Sequence, residues 1–319
     1  MEPVSNLKKT TIMKEIIFIL FYFAVITTTT AQDLYVKTFG NKSDEPVLFL
    51  HGGPGYNSAV FEATTAKTLS EKGYYVIVYD RRGEGRSANV SPAEFTFSQT
   101  FDDINKILKG QNIKKVTLIG HSFGGIVATL FAEKHPGVVE KLFLISTPVV
   151  MQETFRTILD SSQKLYESKK DTTNLYYLGL IRKMDTTSIA YSSYTFMHAM
   201  QNGFYATKTP DETAKKLYTE FGKDSLAKYA SQMTQQAPLG FLKNEHYTTL
   251  NLTAAIQNVK RKGIKIYAMY GKDDGLYSPE QVAAAGNLIG KENVLYLGNC
   301  SHNLFMDRQE QFISTIYGF

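Results

Sequence analysis

Gly120-His121-Ser122-Phe123-Gly124 forms a G-x-S-x-G element, set between the apolar run KVTLIG (115–120) and the stretch GGIVATLFAEKH. A serine flanked by glycines at a strand-to-helix turn has its hydroxyl raised clear of the chain, and the helix N-terminus favours negative charge beside it. The chemistry this suits is nucleophilic acyl transfer through Ser122. Such a nucleophile needs a base and an acid, in the chain order Ser, acid, His. IKIYAMYGKDDGLYSPEQ offers two acids after a strand, Asp274, which fits G-x-x-D counted from Gly271, and Asp273 as the fallback. His302 follows in the loop after NVLYL (293–297). In this reading His302 takes the Ser122 proton and returns it to the leaving group, while Asp274 fixes the imidazole tautomer.

His51-Gly52-Gly53-Pro54-Gly55 follows the run PVLFLH (46–51). Its glycines let a backbone N–H approach a substrate oxygen closely. An oxyanion hole needs two such donors, and we assign them to Gly53 and to Phe123, the residue after the nucleophile. His51 is expected to brace this loop rather than move protons. His121 is expected to point elsewhere on the turn, and His135, His198 and His246 to lie on the surface. Cys300, the one cysteine, reads as a small buried side chain. Gly83-Glu84-Gly85-Arg86-Ser87-Ala88 matches G-x-G-x-x-A after YYVIVY, but ANVSP follows where a dinucleotide site requires a helix to open. No metal-ligand spacing such as H-E-x-x-H is present. Neither a cofactor nor a metal is expected.

These segments need a frame that brings them together. Seven β-branched or aromatic runs read as strands, LYVKTF (34–39), PVLFLH (46–51), YYVIVY (74–79), KVTLIG (115–120), KLFLIS (141–146), IKIYAMY (264–270) and NVLYL (293–297). Several are apolar almost throughout, as in strands buried on both faces of a mostly parallel sheet. Amphipathic stretches alternate with them, which argues for a doubly wound α/β sheet. Between about Pro148 and Leu250 there is no strand signal, only helical patterns rich in Tyr, Thr, Ser and Lys. That stretch reads as a helical cap inserted between two core strands. The expected organisation is therefore a leader (1–31), a first core part (32–147), the cap (148–250) and a second core part (251–319).

The leader follows from Lys8, Lys9 and Lys14 ahead of the apolar run IIFILFYFAVI, then TTTTA. A basic start, a short apolar run and a small residue fit a secretory signal cleaved after Ala31. The run is too short to span a bilayer, which takes about 20 apolar residues. An exported protein without a stable membrane span is expected. Over the 319 residues, 35 Lys+Arg against 30 Asp+Glu give a net charge of +5. The excess is not gathered into a block, which argues against a nucleic-acid partner. The expected partner is a small peptide or ester substrate.

HGGPG at 51–55, DRRGEGRS at 80–87, GHSFGG at 120–125, GKDD at 271–274 and CSH at 300–302 together resemble the α/β-hydrolases, and within them the proline iminopeptidase group of serine peptidases. The resemblance covers the core and not the cap. It implies release of N-terminal proline, with Asp80, Arg82 and Arg86 bracing the active-site floor. It also implies cap glutamates that hold the substrate's free amine, for which Glu153, Glu167, Glu220 and Glu245 are the candidates. Tyr176, Tyr177, Tyr191 and Tyr194 in the cap are candidates to line a pocket for a proline ring or an acyl chain, or else to serve ordinary helix packing. The group carries Gly-Ser-Trp at the nucleophile, where this chain has His121-Ser122-Phe123 and no Trp anywhere. That departure motivates a second reading, a carboxylic-ester or small-amide hydrolase. The third is a ligand-binding protein of the same fold without turnover.

Overall fold

The computed structural model describes residues 33–319; the expected leader (1–31) lies outside them. Each of the seven apolar runs forms a strand, β1 (Val36–Phe39), β2 (Glu45–Leu50), β3 (Tyr74–Tyr79), β4 (Val116–His121), β5 (Val139–Ile145), β6 (Lys265–Gly271) and β7 (Val294–Leu297). They make one sheet in the order β1-β3-β2-β4-β5-β6-β7, antiparallel at β1 and parallel elsewhere. The fold is an α/β-hydrolase fold.

Strand side chains alternate between two cores, as a period of two requires. Val47, Phe49, Val76 and Val78 face a layer with Phe61, Leu69, Phe312 and Ile316. Leu48, Leu50, Ile77 and Tyr79 face the helices Phe97–Gly110 and Phe123–Lys134. With both faces covered, no strand needs a polar side, which explains the near-continuous apolar runs.

The chain leaves β2 for β3 on one side, then crosses to β4 on the other. At such a reversal the connecting segments diverge and leave a crevice at the carboxyl ends of the strands. The β2 loop holds HGGPG and the β4 turn holds Ser122, so both open onto that crevice. The turns after β6 and β7, with Asp274 and His302, emerge at the same edge because those strands run parallel to β4 through β5.

Between β5 and β6 the chain is helical, with Met151–Lys169, Thr172–Ile181, Ile189–Gln201, Glu212–Phe221 and Gln236–Glu245 as the longer helices. An antiparallel bridge between Val150 and Asn251 pins the entry of this segment to its exit. Cap side chains such as Phe155, Ile158, Tyr191 and Phe241 belong to the same apolar cluster as the core side chains of β2 and β4.

Candidate active site

The turn around Ser122 is a set of close approaches that only glycine permits. A Cβ on Gly124 would lie 2.0 Å from the Leu50 carbonyl oxygen, and one on Gly125 1.9 Å from Thr147 Oγ1. A Cβ on Gly120 would lie 2.5 Å from the Gly125 Cα. The helix Phe123–Lys134 can therefore start directly against the ends of β2 and β5. Ser122 takes φ 54°, ψ −122°, a strained conformation for a residue with a side chain, of order 1–3 kcal/mol. Its backbone is held there by the Ser122 N–H donating to the Ile145 carbonyl at 2.8 Å and by the Gly125 N–H donating to the Ser122 carbonyl at 2.9 Å. The hydroxyl does not cap the helix, and the residue is only partly buried.

The β2 loop lies against this turn. A Cβ on Gly52 would sit 3.2 Å from the Ser122 Cβ. Arg81, 2 % exposed, reaches under the loop, and its guanidinium donates to the carbonyls of His51 and Gly52. Glu84, wholly buried, pairs with Arg81 at 2.9 Å and accepts the Gly55 N–H at 2.8 Å. The Arg81 guanidinium also lies over the Phe123 ring, 5.2 Å from its centroid. His51 accepts the Arg81 N–H at Nε2 and donates from Nδ1 to the Gly52 carbonyl. Both ring nitrogens are thus committed in the neutral form. Burial, with Arg81 beside it, holds the His51 pKa well below the ordinary histidine value, so it braces the loop and stays uncharged.

His302 and Asp274 meet as their spacing suggested, with Nδ1 of His302 2.8 Å from Oδ2 of Asp274 and both residues buried. Asp273 turns the other way. Its Oδ2 accepts from Thr207 Oγ1 at 2.7 Å and from the Lys208 N–H at 3.3 Å, tying the cap to the core. Gly271 is again a required glycine, since a Cβ there would lie 2.2 Å from the Cys300 carbonyl oxygen in the His302 loop.

Two histidines depart from expectation. His121 does not point away from the site, because its Nε2 lies 3.0 Å from the His302 carbonyl oxygen and its ring 4.9 Å from the His302 ring. Burial, then the neighbouring charge on His302, lowers its pKa to about 3, so its Nε2 is a neutral N–H donor that steadies the His302 loop. His198 is not on the surface. It is 2 % exposed, with Nδ1 2.8 Å from the Tyr166 hydroxyl. The helix Ile189–Gln201 turns Tyr191, Thr195 and His198 inward, a four- and three-residue spacing on one face.

The network the resemblance assigned to Asp80, Arg82 and Arg86 is present but divides in two. Arg86 binds both oxygens of Asp80 and pairs with Glu62 at 2.6 Å. Burial pushes the Asp80 carboxyl up, but the Arg86 bonds and charge outweigh it and hold the pKa at about 2. Arg82 pairs with Asp103, away from the loop. The contact with the HGGPG loop is made by Arg81 and Glu84, which sequence reasoning missed. The G-x-G-x-x-A segment is a single 3-10 turn at Gly85–Ser87 that serves this network.

The aromatic wall beside the site is also built from other residues than expected. Tyr176, Tyr177 and Tyr194 are 66 %, 51 % and 45 % exposed, and Tyr191 is buried within the cap. Phe123 instead meets Phe241 at 5.0 Å and Tyr247 at 5.6 Å, and the Tyr205 ring stands edge-on to His302 at 5.0 Å. The four cap glutamates all have partners. Glu153 lies 3.9 Å from Arg156, Glu220 3.8 Å from Lys216, Glu167 accepts from Gln163, and Glu245 accepts the Phe97 N–H at 2.6 Å. Glu153 also lines a groove of about 420 Å³ with Thr147, Tyr270, Tyr277 and Gln281. Cys300 is buried without a disulfide, and burial drives its thiol pKa upward, which makes it a poor nucleophile.

A seven-stranded sheet with a serine elbow after β4, an acid after β6 and a histidine after β7 defines a hydrolase scaffold. A profile of the alpha/beta hydrolase fold family matches residues 45–309, and the chain belongs to that family. It is 25 % identical over 281 residues, 85 % of its length and 89 % of the other chain, to a Mycoplasma pneumoniae protein whose name provisionally attributes proline iminopeptidase activity to it. A proline iminopeptidase-related protein from Thermus thermophilus superposes with a TM-score of 0.64 at 22 % identity, over 89 % of this chain and 92 % of that one. An esterase from Exiguobacterium antarcticum superposes at 0.56 with 20 % identity, over 89 % and 94 %.

Proposed function

We propose that the protein is a serine hydrolase that works through an acyl-enzyme on Ser122. The observation that carries this is the His302–Asp274 pair at 2.8 Å at the same sheet edge as a strained, uncapped Ser122. Asp274 accepts the Nδ1–H, which leaves Nε2 of His302 free to take the Ser122 proton. The alkoxide attacks the substrate carbonyl, and its oxygen becomes an oxyanion. Phe123, the first residue of its helix, has an N–H without an intrahelical acceptor. Arg81 holds the Gly52 carbonyl, and in a trans peptide the N–H of Gly53 points the opposite way. Arg81 thereby aims the second donor. His302 then protonates the leaving group, and water, activated by the same imidazole, releases the acid.

The substrate we propose is a peptide with N-terminal proline. It is supported by HGGPG and DRRGEGRS and by similarity to the Mycoplasma pneumoniae protein. Export after cleavage near Ala31 belongs to this proposal and rests on the basic and apolar pattern of residues 8–26. Placement of the cap glutamates favours a second reading, a carboxylic-ester or small-amide hydrolase. Glu245 is committed to the Phe97 N–H and Glu167 and Glu220 lie on exposed helix faces, while the wall beside Ser122 is aromatic. Comparing kcat/KM for prolyl p-nitroanilide and p-nitrophenyl butyrate separates the two. Anilide turnover that disappears when the proline amine is acetylated is the expected result, and ester turnover alone discards the peptide. Ser122→Ala is expected to lower either activity by at least about 10³-fold. Full activity in that variant overturns the mechanism.

A further inference from the structure

Behind the loop that carries His302 lies a buried carboxyl that the reaction above does not use. Asp307, 1 % exposed, ends the short turn Leu304–Asp307. Its Oδ1 lies 2.7 Å from the Tyr218 hydroxyl of the cap helix Glu212–Phe221. Its Oδ2 lies 2.7 Å from both the backbone nitrogen and the Oγ of Ser301. Ser301 Oγ in turn lies 2.8 Å from the carbonyl oxygen of Tyr205.

These four contacts need four hydrogens, and Tyr218 O–H, Ser301 N–H and Ser301 O–H supply three. A carbonyl and an ionised carboxylate only accept, so the fourth hydrogen has to be on Asp307. With it in place, the carboxyl donates to Ser301 Oγ and Ser301 donates to Tyr205. Without it, the single Ser301 proton turns to the carboxylate and the Tyr205 carbonyl loses its donor.

We infer that Asp307 is a positioning residue that carries its proton in the working enzyme, and that this proton lets Ser301 tie the cap segment at Tyr205 to the loop bearing His302. The inference rests on the reading of His302 as the base. The segment Phe204–Thr207 crosses the site at three points. The Phe204 carbonyl accepts the Gly275 N–H at 3.1 Å, the Tyr205 ring abuts His302, and Thr207 donates to Asp273. The Ser301 bond joins this strap to the residue next to His302.

The surroundings favour the neutral acid. Burial pushes the Asp307 carboxyl up, against the hydrogen bonds from Ser301 and Tyr218, and Asp273 adds like charge. Tyr218 faces it from the cap helix, and Asp273 and Cys300 from the core loops. Arg308, next in the chain, is turned outward to Asp211 at 2.8 Å and to the Gly298 carbonyl at 3.0 Å.

The test uses p-nitrophenyl butyrate kinetics across neutral to alkaline pH on the full mature chain. For the wild type kcat/KM falls on the alkaline side as Asp307 ionises and the strap loosens. Asp307→Asn, whose amide nitrogen can donate to Ser301 Oγ but cannot also accept the Ser301 N–H, lowers kcat at neutral pH and lacks that alkaline fall, while Ser301→Ala lowers kcat about tenfold with KM little changed. An infrared difference spectrum, wild type minus Asp307→Asn, shows the carbonyl stretch of a protonated carboxyl at neutral pH. Absence of that band, or an alkaline fall that persists in Asp307→Asn, overturns the inference. Ser122→Ala assayed alongside tests the reading of the site itself, and the infrared band decides Asp307 whatever that variant does.

Discussion

Arg81 and Glu84 form an ion pair that is closed to water on both sides, and removing one partner strands the other. Glu84→Gln leaves a buried guanidinium without its counter-charge, which costs on the order of 3–5 kcal/mol. The same change loosens Gly55 and the hold on the Gly52 carbonyl. The expected result is a lower unfolding midpoint together with a lower kcat, read by denaturant titration and by ester turnover. Unchanged stability removes the pair from its role under the loop. This pair was not legible from the sequence, whereas Ser122, Asp274 and His302 were. The elbow and the two loops obey local rules of spacing after a strand. By contrast, which arginine of Arg81, Arg82 and Arg86 turns under HGGPG depends on how the chain leaves β3, and no spacing encodes that. Asp274 over Asp273 was indicated by G-x-x-D, and the contact with His302 is made by Asp274.

At the scale of elements, the sheet was readable because strands buried on both faces must be largely apolar, as the central strands β2 to β6 are, while the partly buried edge strands β1 and β7 showed as β-branched and aromatic runs. The cap was readable as helical and no further. In the helix Thr172–Ile181 only Leu178 and Ile181 are buried, although the sequence is apolar on every side, so periodicity could not say that Tyr176 and Tyr177 face outward. The aromatic residues that do reach the site, Tyr205 and Tyr247, lie in a loop and a single 3-10 turn, where no periodicity operates. The elbow makes a sharper prediction. In Gly124→Ala the new methyl meets the Leu50 carbonyl, which is backbone in the middle of the sheet and has nowhere to go. Overpacking of this kind costs about 1–3 kcal/mol or more, and it would shift the β2 loop relative to Ser122. Calorimetry is expected to show a lower Tm, and kcat is expected to fall with it. A variant as stable and as active as the wild type would mean that the helix does not start against β2 as described.

For the whole molecule, the buried histidines set the response to acid. His51 and His121 are held neutral by burial, and the His121 pKa is lowered from 6.5 to about 3. The unfolded chain therefore binds protons that the folded chain refuses, and stability falls as pH drops below the unfolded value of 6.5. Between pH 7 and pH 5 each such histidine removes about 2 kcal/mol. Asp80 acts in the same direction at lower pH, since its folded pKa of about 2 lies below its ordinary 3.8 and its contribution is lost as pH falls through that interval. Asp307 and Glu84 have the opposite sign, both being raised in the fold by burial, and they offset part of the histidine contribution. Denaturant midpoints measured from pH 7.5 down to about 4.5 are expected to fall through the histidine range. Replacing His121 with Gln, which offers an amide N–H to the His302 carbonyl without a titrating ring, is expected to flatten that slope. A His121→Gln variant with the wild-type slope would show that the fold does not keep that imidazole neutral, and His121 would then be a cation pressed against His302.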